Sequence, residues 1–182
     1  MSEAGEFQII EQFFTYPSFG AWKSQGVGDD CAIIDTGAGR LAVTCDMTAL
    51  GTHFFPDADP EDVGYKALAV NLSDLAAAGA VPRAFFLSIG LPRRDDGWLA
   101  DFSRGLMALA HESGCALLGG DTTRTPEIDG RHAPATISIT AMGDLPAGMG
   151  LTRSGAQPGD DIWVSGLSLI HISEPTRQEA IS

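Results

Sequence analysis

The stretch ALAVNLSDLAAAGA at 67–80 constrains the fold more than any other part of the chain. Its spacing predicts a helix that is apolar nearly all round, with Asn71, Ser73 and Asp74 its only strongly polar members. Such a helix is largely buried, yet it is too short to cross a bilayer, which takes about 20 residues. It must therefore lie against another layer of the same fold. Asp74 then carries a cost, because a carboxylate taken out of water needs a base, a set of donors or a metal. Asn71 and Asp74, at i and i+3, share a face. Lys66, two turns before Asp74, is a candidate structural partner for it.

The rest of the chain supplies that other layer. Asp59-Pro60-Glu61-Asp62 reads as a helix start, with an N-cap, a proline at the first helical position and acids in the first turn. That helix runs to about Ala78 and stops at Gly79. A second helix spans about Asp96 to Ser113 and ends at Gly114. Residues 31–35 and 41–45 are strand-like and joined by the turn-rich 36–40, which predicts a hairpin. Further strands are expected at 83–91, 135–142 and 161–165, with a short buried strand at 115–118 leading into Gly119-Gly120-Asp121. Residues 6–14 read as a short amphipathic helix. Strands, helices and hairpins in this mixture indicate an α/β (α+β layered) fold, although the strand order is not legible.

Composition narrows the partners. Eleven Lys+Arg against 24 Asp+Glu give a net charge of −13 over 182 residues. Extended contact with nucleic acid needs a surplus of Lys and Arg, and an anionic membrane repels such a chain. Metal ions between acid and phosphate are the exception. The first ten residues carry acids where a signal peptide needs bases, and no uncharged run is long enough for a membrane span. The three cysteines, Cys31, Cys45 and Cys115, form no CxxC and are expected as thiols in a reducing cytoplasm.

The acids are unevenly placed. Eight of them fall between Gly26 and Asp62, against one base, Arg40. Helix capping and a solvated face explain Asp57, Asp59, Glu61 and Asp62. Asp29, Asp30 and Asp46 instead lie at the open end of the predicted hairpin, where their carboxylates are expected to converge. Two charges about 4 Å apart repel by ~4 kcal/mol at an effective dielectric near 20, so such a cluster calls for cations or raised pKa values. The sequence GGDTTR at 119–124 follows an apolar strand; its glycines admit backbone N–H groups close to an anion, its Asp suits a metal and Arg124 can donate. Arg153, in a Gly-flanked loop, suits phosphate. His53 is either a ligand contact or a filler of space. The Walker pattern and GxGxxG are absent, and no Ser/His/Asp or Cys/His nucleophile set stands out.

Taken together, GVGDDCAII (26–34), TCD (44–46) with THFFPD (52–57), YKALAVNLSDLAAAGA (65–80), LLGGDTTR (117–124) and LTRSGAQPGDDIWVSG (151–166) resemble the thiamine-monophosphate kinases. That family lies within the PurM-like ATP-dependent enzymes, and the likeness runs almost continuously over 5–166. It implies a PurM-like N-terminal domain with a mixed sheet packed with helices. It further implies transfer of the γ-phosphoryl of ATP to thiamine monophosphate, with several Mg²⁺ ions held by carboxylates and no protein nucleophile. Matched by motif, Asp30, Asp46, Asp74 and Asp121 are expected metal ligands, assisted by Thr44 and Cys45 around Asp46. Cys45 departs from the Ser/Thr commonly found there. Gly120 and Asp121 are expected at ATP, Arg153 at its phosphates, and His53 at the thiamine phosphate. Residues 1–150 would form the metal- and ATP-binding and dimerisation domain of a homodimer, and 151–166 the start of the linker and C-terminal domain. Residues 167–182 match nothing in the family and read as translated sequencing-adapter sequence. The alternatives are another PurM-like enzyme of synthetase type and a non-catalytic divalent-metal-binding dimerisation module.

Overall fold

In the computed structural model the described residues are 24–25, 29–148 and 150–162. The expected helix at 6–14, the Gly26–Gly28 part of the GVGDD motif, the 163–165 part of the last expected strand and the 167–182 tail lie outside them. Within them, β1 (Ser24–Gln25), β2 (Ala32–Asp35), β3 (Arg40–Ala49), β4 (Val81–Leu91), β5 (Ala116–Arg124) and β8 (Thr136–Leu145) form one sheet in the order β1-β2-β3-β8-β4-β5. Every neighbouring pair is antiparallel except β4 and β5. Helices α1 (Pro60–Ala77) and α2 (Asp96–Ser113) cover one face of it. The mixed sheet layered with helices is the α+β arrangement expected.

Local signals explain most boundaries. The β2–β3 hairpin turns where 36–40 said it would, with Asp35 opposite Arg40 and the Thr36 N–H donating to the Gly39 carbonyl at 2.9 Å. Asp59 caps α1 by accepting from the Glu61 N–H, and Pro60 is its first residue. Asp95 caps α2, which ends at Gly114 with φ of +66°, a left-handed C-cap that glycine adopts without strain.

Helix α1 is sandwiched, as its composition demanded. Leu68, Asn71 and Leu75 are fully buried, packed with Phe85 of β4 and Ile137, Ile139 and Ala141 of β8. Burial of each Leu, Ile or Phe contributes about 1.5–3 kcal/mol. On its other flank α1 meets α2 through glycines. A Cβ at Gly64 would run into the Phe102 carbonyl, and one at Gly105 into the Glu61 carbonyl. The two backbones touch where neither helix carries a side chain.

One expectation needs correction, one lies mostly outside the described residues, and one element was not anticipated. The expected short buried strand at 115–118 is the nine-residue β5, which continues through Gly119-Gly120-Asp121 to Arg124 and is exposed along its length. The reason is the α2 crossover: it lays β5 parallel to β4, and the ladder extends through Gly120 opposite Leu87, Asp121 opposite Ser88 and Thr123 opposite Gly90. At 161–165, the described pair Asp161–Ile162 is irregular, and Ile162 is exposed. A small hairpin, β6 (Glu127–Ile128) with β7 (Arg131–His132), was not anticipated. Its Asp129-Gly130 turn has positive φ at both residues, so the Asp-Gly pair was the overlooked signal.

Candidate functional site at the open end of the hairpin

Residues 29–31 lead into β2, and β3 runs past them in the opposite direction. Alternation along β3 turns Ala42, Thr44 and Thr48 toward the helices, with half-buried Asp46 on the same side. There α1 presents Asp74. The Thr44 hydroxyl donates to Asp74 Oδ2 at 2.7 Å, and the Cys31 thiol donates to the Asp74 backbone carbonyl at 3.2 Å. One turn earlier, Asn71 Nδ2 donates to the Ala67 carbonyl at 3.0 Å while its Oδ1 accepts from the Asp46 N–H at 3.2 Å. Asn71 thus ties β3 to α1 at the level of the acids.

Arg153 reaches the site from far along the chain. Its backbone N–H donates to Asp29 Oδ1 at 2.7 Å, and its guanidinium donates to Asp30 Oδ1 at 2.6 Å. The bond to Asp30, and the charges of Asp30, Asp29 and Asp74, hold the Arg153 pKa above the ordinary guanidinium value. Cys31 reports the same crowding of acid: burial first, then the charges of Asp74 and Asp30, push its thiol up to about 11. Asp30, Asp74 and Arg153 therefore act on one small volume.

Not every expected residue joins them. Lys66 does not pair with Asp74, because its Nζ donates to the His53 carbonyl at 2.7 Å. The Thr44 hydroxyl is the donor that Asp74 required. Cys45 points to the sheet face opposite the helices, where the Thr140 hydroxyl donates to its sulfur at 3.3 Å. Its thiol is thus turned away from Asp74. Asp121 also lies on that other face: the register aligns it with Ser88, Ser138 and Met47. Three inter-strand steps separate β3 from β5, about 14 Å. Gly120 has φ of +150°, and a Cβ there would strike the Leu87 carbonyl, so the position admits only glycine.

His53 sits apart, in a turn after β3. It lines a cleft of about 300 Å³ with Phe54, Phe55, Val63, Asp62 and Lys66. Among the described residues no three His, Cys, Asp or Glu side chains form a ready metal cage. Asp30 and Asp74, whose charges both act on Cys31 and Arg153, offer hard carboxylate oxygens. A divalent cation that brings a phosphate with it uses one or two carboxylates of this kind rather than an all-protein cage, so the donor set fits Mg²⁺ in that form. The sequence placed Asn71 on the face of Asp74 and Asp29 at the open end of the hairpin but did not reveal their roles: Asn71 ties α1 to the Asp46 backbone, and Asp29 binds the backbone of a loop more than a hundred residues away.

The profile of AIR synthase related protein, N-terminal domain, matches residues 28–145. The chain belongs to that family. Among relatives, the thiamine-monophosphate kinase of Salmonella typhimurium is 44% identical over 164 residues, covering 89% of this chain and 48% of that protein. That of Bacillus subtilis is 33% identical over 164 residues, covering 88% and 49%. The chain thus spans about half the length of the curated relatives it matches. Among solved structures, AaThiL complexed with AMPPCP and TMP superposes with a TM-score of 0.66 at 28% identity, over 74% of this chain and 41% of that one. The thiamine-monophosphate kinase of Stenotrophomonas maltophilia gives 0.57 at 42% identity, over 70% and 38%. Members of the family thus share this sheet and its two covering helices.

Proposed function

We propose that this chain is the N-terminal half of a kinase that phosphorylates thiamine monophosphate with ATP and Mg²⁺. The observation that carries the reading is the bonding of Arg153 to Asp29 and Asp30 at the open end of the β2–β3 hairpin, where the charge of Asp74 acts on the same arginine. An acidic pair beside a guanidinium suits a metal–phosphate complex, with the acids facing the cation and the arginine facing the phosphate. The kinase relatives and the structure bound to AMPPCP and TMP support it.

In this reading the γ-phosphoryl leaves the bridging oxygen of ADP, and a terminal oxygen of thiamine monophosphate forms the new P–O bond. The attacking phosphate oxygen is already ionised, so no protein base has to take a proton. Catalysis then rests on positioning and on neutralising charge. Bound Mg²⁺ would supply charge neutralisation between the two anionic substrates. Asp30 and Asp74 would hold it, with Thr44 orienting the Asp74 carboxylate and Asn71 fixing the backbone at Asp46. Asp46 itself and the main-chain carbonyl of Cys45 are further proposed ligands there, while Asp121, on the other sheet face, would hold a separate ion beside ATP at β5. Gly120 would let ATP approach β5, and Arg153 would move from Asp30 to the incoming phosphate.

Residues 1–150 form the metal- and ATP-binding domain in this proposal, and 151–166 lead toward a second domain. The sheet face opposite the helices exposes Met47 (59%) and Phe86 (39%), which suits pairing with a second copy. No helix among the described residues is long and apolar enough to cross a membrane. The proposed setting is the cytoplasm, with all three cysteines free.

The test compares this chain with the same N-terminal half joined to a complete C-terminal half. Mg²⁺-dependent conversion of thiamine monophosphate to thiamine diphosphate is expected from the longer protein, and a loss of orders of magnitude from this chain. Equal turnover by the two would refute the half-site reading. Asp74→Asn should abolish Mg²⁺-dependent nucleotide binding, read by calorimetry, while circular dichroism stays native. Unchanged binding removes Asp74 from the site.

A further inference from the structure

The turn that follows β3 is held more firmly than its exposure suggests. The Gly51 N–H donates to the Phe54 carbonyl at 2.9 Å, and the His53 N–H donates to the Ala49 carbonyl at 2.9 Å. Leu50 and Phe54 form a β-bridge across it. Two further bonds involve groups that a turn of this size does not need. The Ala49 N–H donates to His53 Nδ1 at 3.0 Å, and Lys66 Nζ, from α1, donates to the His53 carbonyl at 2.7 Å.

The first of these settles where the proton on the ring sits. A backbone N–H can only donate, so Nδ1 must be the bare nitrogen and the neutral ring carries its proton on Nε2. Protonating Nδ1 would set two N–H groups against each other. Nε2 has no hydrogen-bond partner among the described residues, and the exposed ring lines the cleft with Phe55 and Val63. The second bond fixes the backbone that carries the ring. Among the described residues Lys66 is the one ammonium lining that cleft, and it is turned onto the His53 carbonyl.

We propose that Lys66 is a positioning residue which, with the Ala49 amide, locks His53 as a neutral Nε2–H donor at the mouth of this cleft. The group it would meet is the anionic end of a ligand whose apolar part rests on Phe55 and Val63. The assignment of that ligand as thiamine monophosphate rests on the proposed kinase reading; the lock on His53 does not.

The experiment uses the full chain labelled with [¹⁵N]histidine, with His53→Gln identifying the His53 signals among the four histidines. At neutral pH the wild-type ring is expected to show protonated Nε2 and bare Nδ1. Lys66→Met should let the ring average between tautomers, and Lys66→Arg should restore the wild-type pattern. A wild-type ring protonated on Nδ1, or Lys66→Met shifts identical to wild type, overturns the proposal. Thiamine monophosphate is then titrated into each protein. It should move the wild-type Nε2 signal, with affinity about fivefold weaker in Lys66→Met, the worth of one hydrogen bond. A locked ring whose Nε2 signal ignores thiamine monophosphate supports the positioning role and refutes His53 as a substrate contact in the kinase reading.

Discussion

Cys31 gives the acidic site a probe that needs no substrate. Its thiol, raised to about 11 by burial and by the charges of Asp74 and Asp30, is almost wholly protonated at neutral pH. Burial also raises the Cys115 thiol, whereas Cys45 is exposed on the open sheet face. Alkylation at about pH 8 followed by mass spectrometry should therefore modify Cys45 first and leave Cys31 and Cys115 behind. The folded Cys31 pKa lies above the ordinary 9.0, so the folded state keeps a proton that the unfolded state loses. That contribution to stability is fully present below pH 9 and disappears as pH rises to about 11. Urea midpoints should fall across that window, and less so in Cys31→Ala. At this scale the sequence made Asp74 legible, because a carboxylate in an apolar helix must have partners. It did not reveal that Thr44 is the partner and Lys66 is not. Thr44 comes from another strand, and only the register of β3 against α1 decides which hydroxyl arrives.

The contact between α1 and α2 depends on glycines that no capping or periodicity rule marks. Gly64 faces the Phe102 carbonyl and Gly105 the Glu61 carbonyl, so one methyl group at either point forces the backbones apart. Gly64→Ala and Gly105→Ala should each destabilise by about 1–3 kcal/mol, measured by urea denaturation. Since both act on one interface, the double variant should lose less than the sum. Their cost would reach the acidic site through α1, which carries both Asn71 and Asp74. Elements with strong local signals were readable: the Asp59 cap, the Gly114 stop and the 36–40 turn all stand where the sequence put them. The length of β5 was not. Its Gly119-Gly120-Asp121 looks like a turn in isolation and becomes strand only because β4 offers a parallel ladder.

Across the whole molecule the net charge of −13 means that like charges repel at the surface and in the acidic cluster. Raising NaCl from about 0.02 to 0.3 M should raise the melting temperature by screening, and MgCl2 at matched ionic strength should raise it further if the clustered carboxylates bind the ion. Equal shifts in the two salts would leave screening as the whole effect and count against a Mg²⁺ site in this half. The charge, the helix pair, the hairpin and a carboxylate that needs partners follow from residue order, because each depends on neighbours within a few positions. The strand order, the split of Asp121 and Cys45 from Asp74 across two faces, and the arrival of Arg153 at Asp29 and Asp30 belong to the tertiary structure. Those relations join residues from about 30 to more than 120 positions apart, and their geometry is fixed by sheet register and by the packing of α1, which local propensity does not encode.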